Sequence, residues 1–250
     1  MQITSSVVLL HGFTNTGHSW DDVIDALGGG ADTLAPDIRG HGAASAERPV
    51  TLDAVIGDID RVAPDRFTLV GYSMGGRIAL HVAFALPGRV RRMVLIGASP
   101  GLRSATARAQ RRASDERLAA EVEGQTIERF AARWAEIPVL ADQPEPVRAA
   151  VGSDRLRNES AGLAAALRGL GTGALPSLWP RLGSLQIPVE LIVGERDAKF
   201  RGIAARMAAD LPHGRIVVVP GAGHAVHAEA PTAVASVIMG APSPGAAVRR

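Results

Sequence analysis

The chain has 250 residues, 46% of them hydrophobic, and a formal net charge of only +2, and it contains no cysteine. Disulfides and cysteine chemistry are therefore excluded, and the near-neutral charge argues against a nucleic-acid binder. The composition predicts a globular protein with a sizeable core. Because the first residues show no signal-peptide or membrane-span pattern, we expect a cytoplasmic protein that does not bind membranes.

Short apolar runs alternate with helical patterns in the first hundred residues and again near the end. Such alternation predicts parallel β-α-β units with right-handed crossovers. The predicted strands cover residues 7–10, 67–70, 93–96, 189–193 and 215–219. The predicted helices of this part cover residues 19–27, 52–62 and 77–84. Ligands of open parallel sheets gather at the carboxyl ends of the strands, so we expect the functional site there.

The turn Gly71-Tyr72-Ser73-Met74-Gly75 lies between the predicted strand 67–70 and the predicted helix 77–84. A serine on such a sharp turn holds its hydroxyl clear of the backbone, where a base and a substrate can reach it. The flanking glycines allow the strand and the helix to approach closely. The pattern predicts a nucleophile elbow at Ser73, although G-x-S-x-G alone is a weak signal.

The alternation stops between residues 101 and 184, which contain no convincing strand. This stretch is rich in Ala, Arg, Glu and Leu at helical spacing. We therefore predict a core of residues 1–100 and 185–240, a helical lid of residues 101–184, and a disordered tail of residues 241–250. The helical patterns in the lid cover residues 107–121, 127–135, 146–158 and 162–170.

A serine nucleophile or base needs an imidazole to take its proton, and a carboxylate usually orients that imidazole. Asp197 follows the predicted strand 189–193, and His224 follows the predicted strand 215–219. Taken alone, Asp197 would serve equally well as a helix N-cap, and His224 as a buried core histidine. The order Ser73, Asp197, His224 matches that of α/β hydrolases, so together they predict a catalytic triad on that fold, a mostly parallel central sheet flanked by helices.

His11-Gly12-Phe13 follows the first predicted strand and resembles the oxyanion-loop signature of the same fold. We expect the backbone N–H groups of Phe13 and Met74 to form the oxyanion hole, because such donors need no particular side chain. His11 is then expected to shape the loop. No set of His, Asp and Glu has metal-ligand spacing, so we predict neither a metal nor another cofactor.

The sequence also resembles one family over nearly its whole length. The most specific motifs are Gly-Glu-Arg-Asp-Ala-Lys-Phe at 194–200, Gly-Leu-Gly-Thr-Gly at 169–173 and Pro-Ser-Leu-Trp at 176–179. They are similar to those of the 2-succinyl-6-hydroxy-2,4-cyclohexadiene-1-carboxylate synthases, the pyruvate-eliminating lyases of menaquinone biosynthesis. One difference is that family members usually begin with an extra β-hairpin, so the sheet is expected to lack edge strands here.

The resemblance implies a small polycarboxylate substrate, and hence fixed cations in the pocket. It assigns substrate binding to Arg77 on the elbow helix, to Tyr72 beside the serine, and in the lid to Arg111 and Trp134. It further implies that the triad serine removes a ring proton as a base and is not acylated. The oxyanion hole would stabilise the developing negative charge, and pyruvate would leave by elimination.

Two alternatives remain open. A serine hydrolase acting on an ester, a lactone or a carbon–carbon bond would use the same three residues, but a hydrolase for neutral esters has no use for Arg77 and Arg111 at the cleft. A non-catalytic binder on this fold would gain nothing from an oriented Ser–His pair. The sequence assigns no role to His227, Lys199 or Phe200 and does not predict the oligomeric state.

Overall fold

The computed structural model describes residues 5–137, 140, 143–240 and 247–249. Its centre is one sheet in which six strands run parallel. These strands are β1 Ser5–Leu10, β2 Ala31–Leu34, β3 Phe67–Tyr72, β4 Val90–Ile96, β5 Val189–Gly194 and β6 Gly214–Val219. A further strand, β7 Ala247–Arg249, pairs antiparallel with β6, and the order across the sheet is β2-β1-β3-β4-β5-β6-β7.

Helices flank the sheet and fill the stretch between β4 and β5. In chain order they are α1 Asp21–Leu27, α2 Leu52–Val62, α3 Met74–Ala85, α4 Ala105–Glu123, α5 Ile127–Ala135, α6 Glu145–Arg155, α7 Ser160–Leu170, α8 Ala198–Asp210, α9 Val226–Glu229 and α10 Pro231–Ile238. Short 3₁₀ helices occupy Gly17–Trp20, Gly42–Ala44 and Trp179–Ser184. Within the described part of the chain, every helix is too short or too polar to cross a membrane.

Two apolar layers lie on opposite faces of the sheet, because successive side chains of a strand point to opposite sides. In β1, Val8 and Leu10 pack into the layer that includes α2 and α3, whereas Val7 and Leu9 pack into the layer that includes α1 and α10. Every residue of β3 and of β5 is buried, as is usual for parallel strands covered on both faces. The close packing of these strands therefore fixes the positions at which the loops after them begin.

The predicted α/β fold, a mostly parallel sheet flanked by helices and interrupted by a helical insertion, is confirmed. Five of the described strands and α-helices, β2, β7, α8, α9 and α10, fall outside the patterns identified in the sequence. No residue of β2 is fully buried, so this strand lacks the apolar run that marks the others. Among the described residues no strand precedes β1, and β2 forms that edge of the sheet.

The other edge of the sheet is formed by three residues of the predicted disordered tail 241–250, and for those three the prediction is wrong. Residues 247–249 form β7, in which Ala247 pairs with Val218 and Val248 with Val217 of β6. Without this strand the backbone groups on the outer side of β6 would be unpaired, and an added strand satisfies them. Residues 241–246 and 250 lie outside the described residues.

The helices α4 to α7 lie within the predicted lid of residues 101–184. In this region α4 packs along α7, and α5 packs against α6. Phe130 and Leu163 belong to an apolar cluster that also contacts Phe13, which lies in the loop after β1. This contact places the lid over the carboxyl ends of the strands.

Candidate active site

Ser73 lies on a sharp turn between the end of β3 and the start of α3. Its backbone has φ 50° and ψ −106°, a strained conformation for a residue with a side chain. The Ser73 amide donates a hydrogen bond to the Ile96 carbonyl at 2.8 Å, which holds the turn against β4. A Cβ on Gly71 would lie 2.6 Å from the Gly75 carbonyl oxygen. Glycine is therefore required where the strand and the helix cross.

The three predicted triad residues meet at the ends of β3, β5 and β6. His224 Nε2 lies 3.3 Å from Ser73 Oγ, and His224 Nδ1 lies 2.6 Å from Asp197 Oδ2. Asp197 and His224 are both buried. With its proton on Nδ1 and donated to Asp197, the imidazole can accept the serine proton at Nε2. The arrangement is a connected Ser–His–Asp triad.

Asp197 also begins α8, because its Oδ1 accepts a hydrogen bond from the Phe200 amide at 3.0 Å. The N-cap and the triad interpretations of this residue therefore both hold. Burial favours the neutral acid, but the hydrogen bonds from His224 and Phe200, with the charge of Lys199, outweigh it and hold the pKa of Asp197 below its ordinary value. The Phe200 ring also packs 4.5 Å from the His224 ring. Lys199 and Phe200 thus support the triad.

The loop after β1 and the first residue of α3 carry the predicted oxyanion donors, Phe13 and Met74. Within the described part of the chain, neither backbone N–H has a hydrogen-bond acceptor, which suits both to a developing oxyanion. His11 shapes the loop: its Nε2 accepts from the Ile38 amide and its Nδ1 donates to the Gly12 carbonyl, both at 2.9 Å. Burial lowers the pKa of His11, in keeping with a single ring proton.

A cavity of about 80 Å³ opens beside Ser73 and His224. The predicted substrate-binding residues Tyr72 and Trp134 both line it. The Tyr72 ring lies 5.4 Å from the His224 ring, and burial raises the pKa of Tyr72, so this phenol stays neutral. Among the described residues that line the cavity, Arg155 is the only one with a permanent charge.

Arg155, the last residue of α6, is the functional candidate that the sequence patterns do not identify. Its side chain is 2% exposed, and its Nε donates to the Thr14 hydroxyl at 3.4 Å. Its Nη1 is buried without a hydrogen-bond partner among the described residues. Burial lowers the pKa of Arg155, while Tyr72 and Asp154 oppose the shift. A guanidinium with unused donors beside the triad is well suited to a ligand carboxylate.

Arg77 and Arg111, which were expected to converge on the cleft, are not among the residues that line this cavity. Arg77 is buried and donates to the Leu170 carbonyl at 3.2 Å, whereas Arg111 donates to Asp115 at 2.6 Å. Burial, and then the charge of Arg111, lower the pKa of Arg77 to about 10, and Asp115 opposes the shift. The two arginines therefore lie near each other where the end of α7 meets α3, and their role in substrate binding stays a prediction.

His227 lies one helical turn after His224 and also lines the cavity. It is 1% exposed, and neither ring nitrogen has a hydrogen-bond partner among the described residues. Its ring packs 4.1 Å from the Tyr72 ring. Burial, with added effects of His224 and His11, lowers the pKa of His227 to about 3, so the ring is neutral. In the part of the chain that is described, no group of three His, Asp or Glu side chains is placed to hold a metal ion.

Comparison with known proteins agrees with this geometry. Residues 7–237 match the alpha/beta hydrolase family. The chain is 37% identical to a Bacillus subtilis protein provisionally named 2-succinyl-6-hydroxy-2,4-cyclohexadiene-1-carboxylate synthase, over 94% of this chain and 89% of that protein. It is 34% identical to the synthase of that name from Escherichia coli O1:K1, over 91% of this chain and 90% of that protein.

The fold is also similar to a solved structure of MenH from S. aureus. The two superpose with a TM-score of 0.89 at 29% sequence identity, over 96% of this chain and 94% of that chain. The chain therefore belongs to the α/β hydrolase family and, within it, to the 2-succinyl-6-hydroxy-2,4-cyclohexadiene-1-carboxylate synthases.

Proposed function

We propose that this enzyme is a lyase of menaquinone biosynthesis. It would eliminate pyruvate from 2-succinyl-5-enolpyruvyl-6-hydroxy-3-cyclohexene-1-carboxylate to give 2-succinyl-6-hydroxy-2,4-cyclohexadiene-1-carboxylate. The relatives that are 34% and 37% identical support this reaction. In the chain itself, the observation that carries the proposal is the buried, partly unpartnered guanidinium of Arg155 in the cavity beside the triad.

The charge of this substrate fits the arginines of the site. It carries one carboxylate on the ring, one on the succinyl arm and one on the enolpyruvyl arm. Arg155 would bind one of them through charge-assisted hydrogen bonds. Arg77 and Arg111 together outnumber the neighbouring Asp115, so this cluster keeps a net positive charge for a second carboxylate. A neutral ester would use neither feature.

The triad would act as a base in this reaction. The ring hydrogen next to the succinyl ketone is acidic, because the carbanion left behind is stabilised as an enolate. Ser73 Oγ would take this proton while His224 Nε2 takes the serine proton, and Asp197 would stabilise the imidazolium. The electron pair then moves through the ring double bond and breaks the bond to the enolpyruvyl oxygen. Enolpyruvate leaves with that bonding pair and is protonated to pyruvate.

The negative charge develops on the ketone oxygen, so the oxyanion hole contributes to the same step. The N–H groups of Phe13 and Met74 would donate to that oxygen. Proton transfer by a positioned group contributes about 10²–10⁴-fold. The rest of the acceleration must come from electrostatic stabilisation of the enolate.

The size of the cavity sets a requirement on the lid. Its volume of about 80 Å³ is well below the roughly 300–1,000 Å³ of typical ligand pockets. A cyclohexene ring with two arms therefore requires a part of the lid to move away from the strand ends. Closure over the bound substrate would then keep water away from the enolate.

A direct assay of pyruvate release tests the proposal. Pyruvate is reduced with lactate dehydrogenase and NADH, and the loss of NADH absorbance is recorded. Because Ser73 is not acylated in this mechanism, rapid mixing should show no burst and intact mass no covalent adduct. Turnover of a small neutral ester through an isolable acyl-Ser73, without pyruvate release, would identify a serine hydrolase instead.

The cellular setting is a further part of the proposal. The sequence supports an enzyme that works in the cytoplasm on a small polycarboxylate and binds neither nucleic acid nor membranes. Immunoblotting of cytosolic and membrane fractions checks the location. Recovery of the protein mainly in washed membranes would contradict it.

A further inference from the structure

The lid carries a buried carboxylate, and its hydrogen-bond partners among the described residues belong to the loop after β1. Asp154 of α6 accepts from Asn15 Nδ2 at 3.1 Å, from the Thr16 amide at 2.9 Å and from the Thr16 hydroxyl. Asp154 is 6% exposed, so these neutral donors replace the water that its charge has lost. The loop they belong to is the one that carries the oxyanion donor Phe13.

The residue between this anchor and Phe13 is strained. Thr14 has φ 70°, in the left-handed region that a β-branched residue rarely adopts. Such a conformation persists only where the surroundings hold it. Asn158, just after α6, donates to the Thr14 carbonyl at 3.0 Å and accepts from the Gly42 amide at 3.1 Å. The lid therefore holds the loop at the strained residue and at the two residues that follow it.

We propose that Asp154 is a positioning residue for catalysis, which fixes residues 14–16 from the lid so that the Phe13 N–H points at the developing oxyanion. Asp154 does not line the cavity and acts through Asn15 and Thr16. If the end of α6 holds the loop that forms the oxyanion hole, this part of the lid has to stay in place during turnover. The inference rests on the proposed active site, but it holds for either a lyase or a hydrolase.

A purely structural role is the competing explanation. Thr16 is the N-cap of the 3₁₀ helix Gly17–Trp20, and Asp154 could simply stabilise that turn. The two roles differ in what they change. A structural carboxylate affects the free energy of unfolding, whereas a positioning carboxylate also lowers kcat of the folded enzyme while leaving KM in place.

The first experiment compares Asp154→Ala, Asp154→Asn and Glu145→Ala in steady-state kinetics of the full chain. Removing one oxyanion donor lowers kcat by about 10²–10³-fold. Asp154→Ala should only displace the Phe13 N–H, so kcat should fall by about 10–100-fold while KM stays within about 3-fold of the wild-type value. Asp154→Asn should stay within about 5-fold, because its amide can donate to the Thr16 hydroxyl while its oxygen accepts the other two bonds. Glu145, on the same helix but with a side chain 79% exposed, is the matched control and should behave as wild type.

A second variant keeps the test decisive if Asp154→Ala does not fold. Thr16→Val removes the hydroxyl bond to Asp154 and the N-cap bond from the His18 amide, but keeps the backbone bond to Asp154. It should lower kcat by about 3–10-fold, and adding it to Asp154→Ala should cause little further loss of kcat. Unchanged kcat in folded Asp154→Ala or Thr16→Val, with only a lower Tm, would overturn the inference. Kinetics use whichever substrate the wild-type enzyme turns over, so ester turnover without pyruvate release would refute the proposed lyase and still decide the role of Asp154.

Discussion

The active site combines two regions that the sequence specifies in different ways. The strand ends of the sheet supply the triad, with Ser73 after β3, Asp197 after β5 and His224 after β6. The lid supplies Trp134 from α5 and Arg155 from α6, which face the triad across the cavity. In the proposed mechanism the sheet side carries out the proton transfer, and the lid side supplies the charge that would match a polycarboxylate.

The difference shows which kinds of position can be deduced from chain order. Residues that directly follow parallel strands reach the same edge of the sheet, whatever the connecting helices do. The direction of a side chain on a lid helix depends instead on how α4 to α7 pack on one another and on the core. The residues at the sheet edge can therefore be predicted from the sequence. Which lid side chains reach the cavity can be found only from the structure.

The largest expected effects come from the strand ends. Ser73→Ala and His224→Ala should each lower kcat by about 10⁴–10⁶-fold, and Asp197→Asn by about 10⁴-fold. Because the three side chains act as a unit, the double variant Ser73→Ala/His224→Ala should be little worse than either single one. Pyruvate release is measured, with circular dichroism to confirm folding. Near-normal turnover by Ser73→Ala would contradict the catalytic role of the triad.

The lid side should show smaller and substrate-dependent losses. Arg155→Met keeps an apolar stem and removes the charge, so kcat/KM for the polycarboxylate should fall by about 10–100-fold, since a hydrogen bond to a charged group is worth roughly 1.5–3 kcal/mol. Any residual turnover of a neutral ester should change by less than about 3-fold. Arg157→Met, at an exposed position two residues further on, is the control. An equal loss with the ester would mean that Arg155 does not select for carboxylates.

Variants of Arg77 and Arg111 test whether arginines outside the cavity matter less than Arg155. Both lie outside the lining of the cavity, so Arg77→Ala and Arg111→Ala should each lower kcat/KM for the polycarboxylate by only about 10-fold. Arg117→Ala, an exposed change on α4, should have no effect. Losses as large as that of Arg155→Met would show that these arginines reach the substrate in the cleft, as the sequence resemblance predicts.

The pattern of successful and failed sequence predictions follows this division. The positions of Ser73, Asp197 and His224 are deducible because each follows an apolar run long enough to mark a buried strand. Arg155 lies in a helical pattern with several other arginines, and the 3.6-residue period does not show which of them the packing buries. For β2, with no buried residue, and for β7 at the opposite edge, strand formation depends on pairing with a neighbour that local sequence does not reveal.

The smallest expected effect concerns stability at acid pH and uses two buried histidines, one beside the triad and one on α3. His227 lines the cavity at the strand ends, whereas His81 lies on α3, buried, near the charges of Arg77 and Arg181 at the lid junction. Burial, with those neighbouring charges, lowers the pKa of His81 to about 4, and burial lowers that of His227 to about 3. In the unfolded chain both return to about 6.5, so below that pH the unfolded state binds more protons.

The free energy of unfolding should therefore fall as the pH drops from about 6.5, by roughly 1.4 kcal/mol per pH unit for each histidine, until about pH 4 for His81 and about pH 3 for His227. Urea unfolding at pH 7 and pH 5 measures this. His81→Gln and His227→Gln should each remove about 2 kcal/mol of the difference between the two pH values, whereas His213→Gln, at an exposed position, should leave it unchanged. Only His227→Gln should also lower kcat, because only His227 lines the cavity. If both variants kept the acid sensitivity of the wild-type enzyme, these rings would have to be protonated in the folded state.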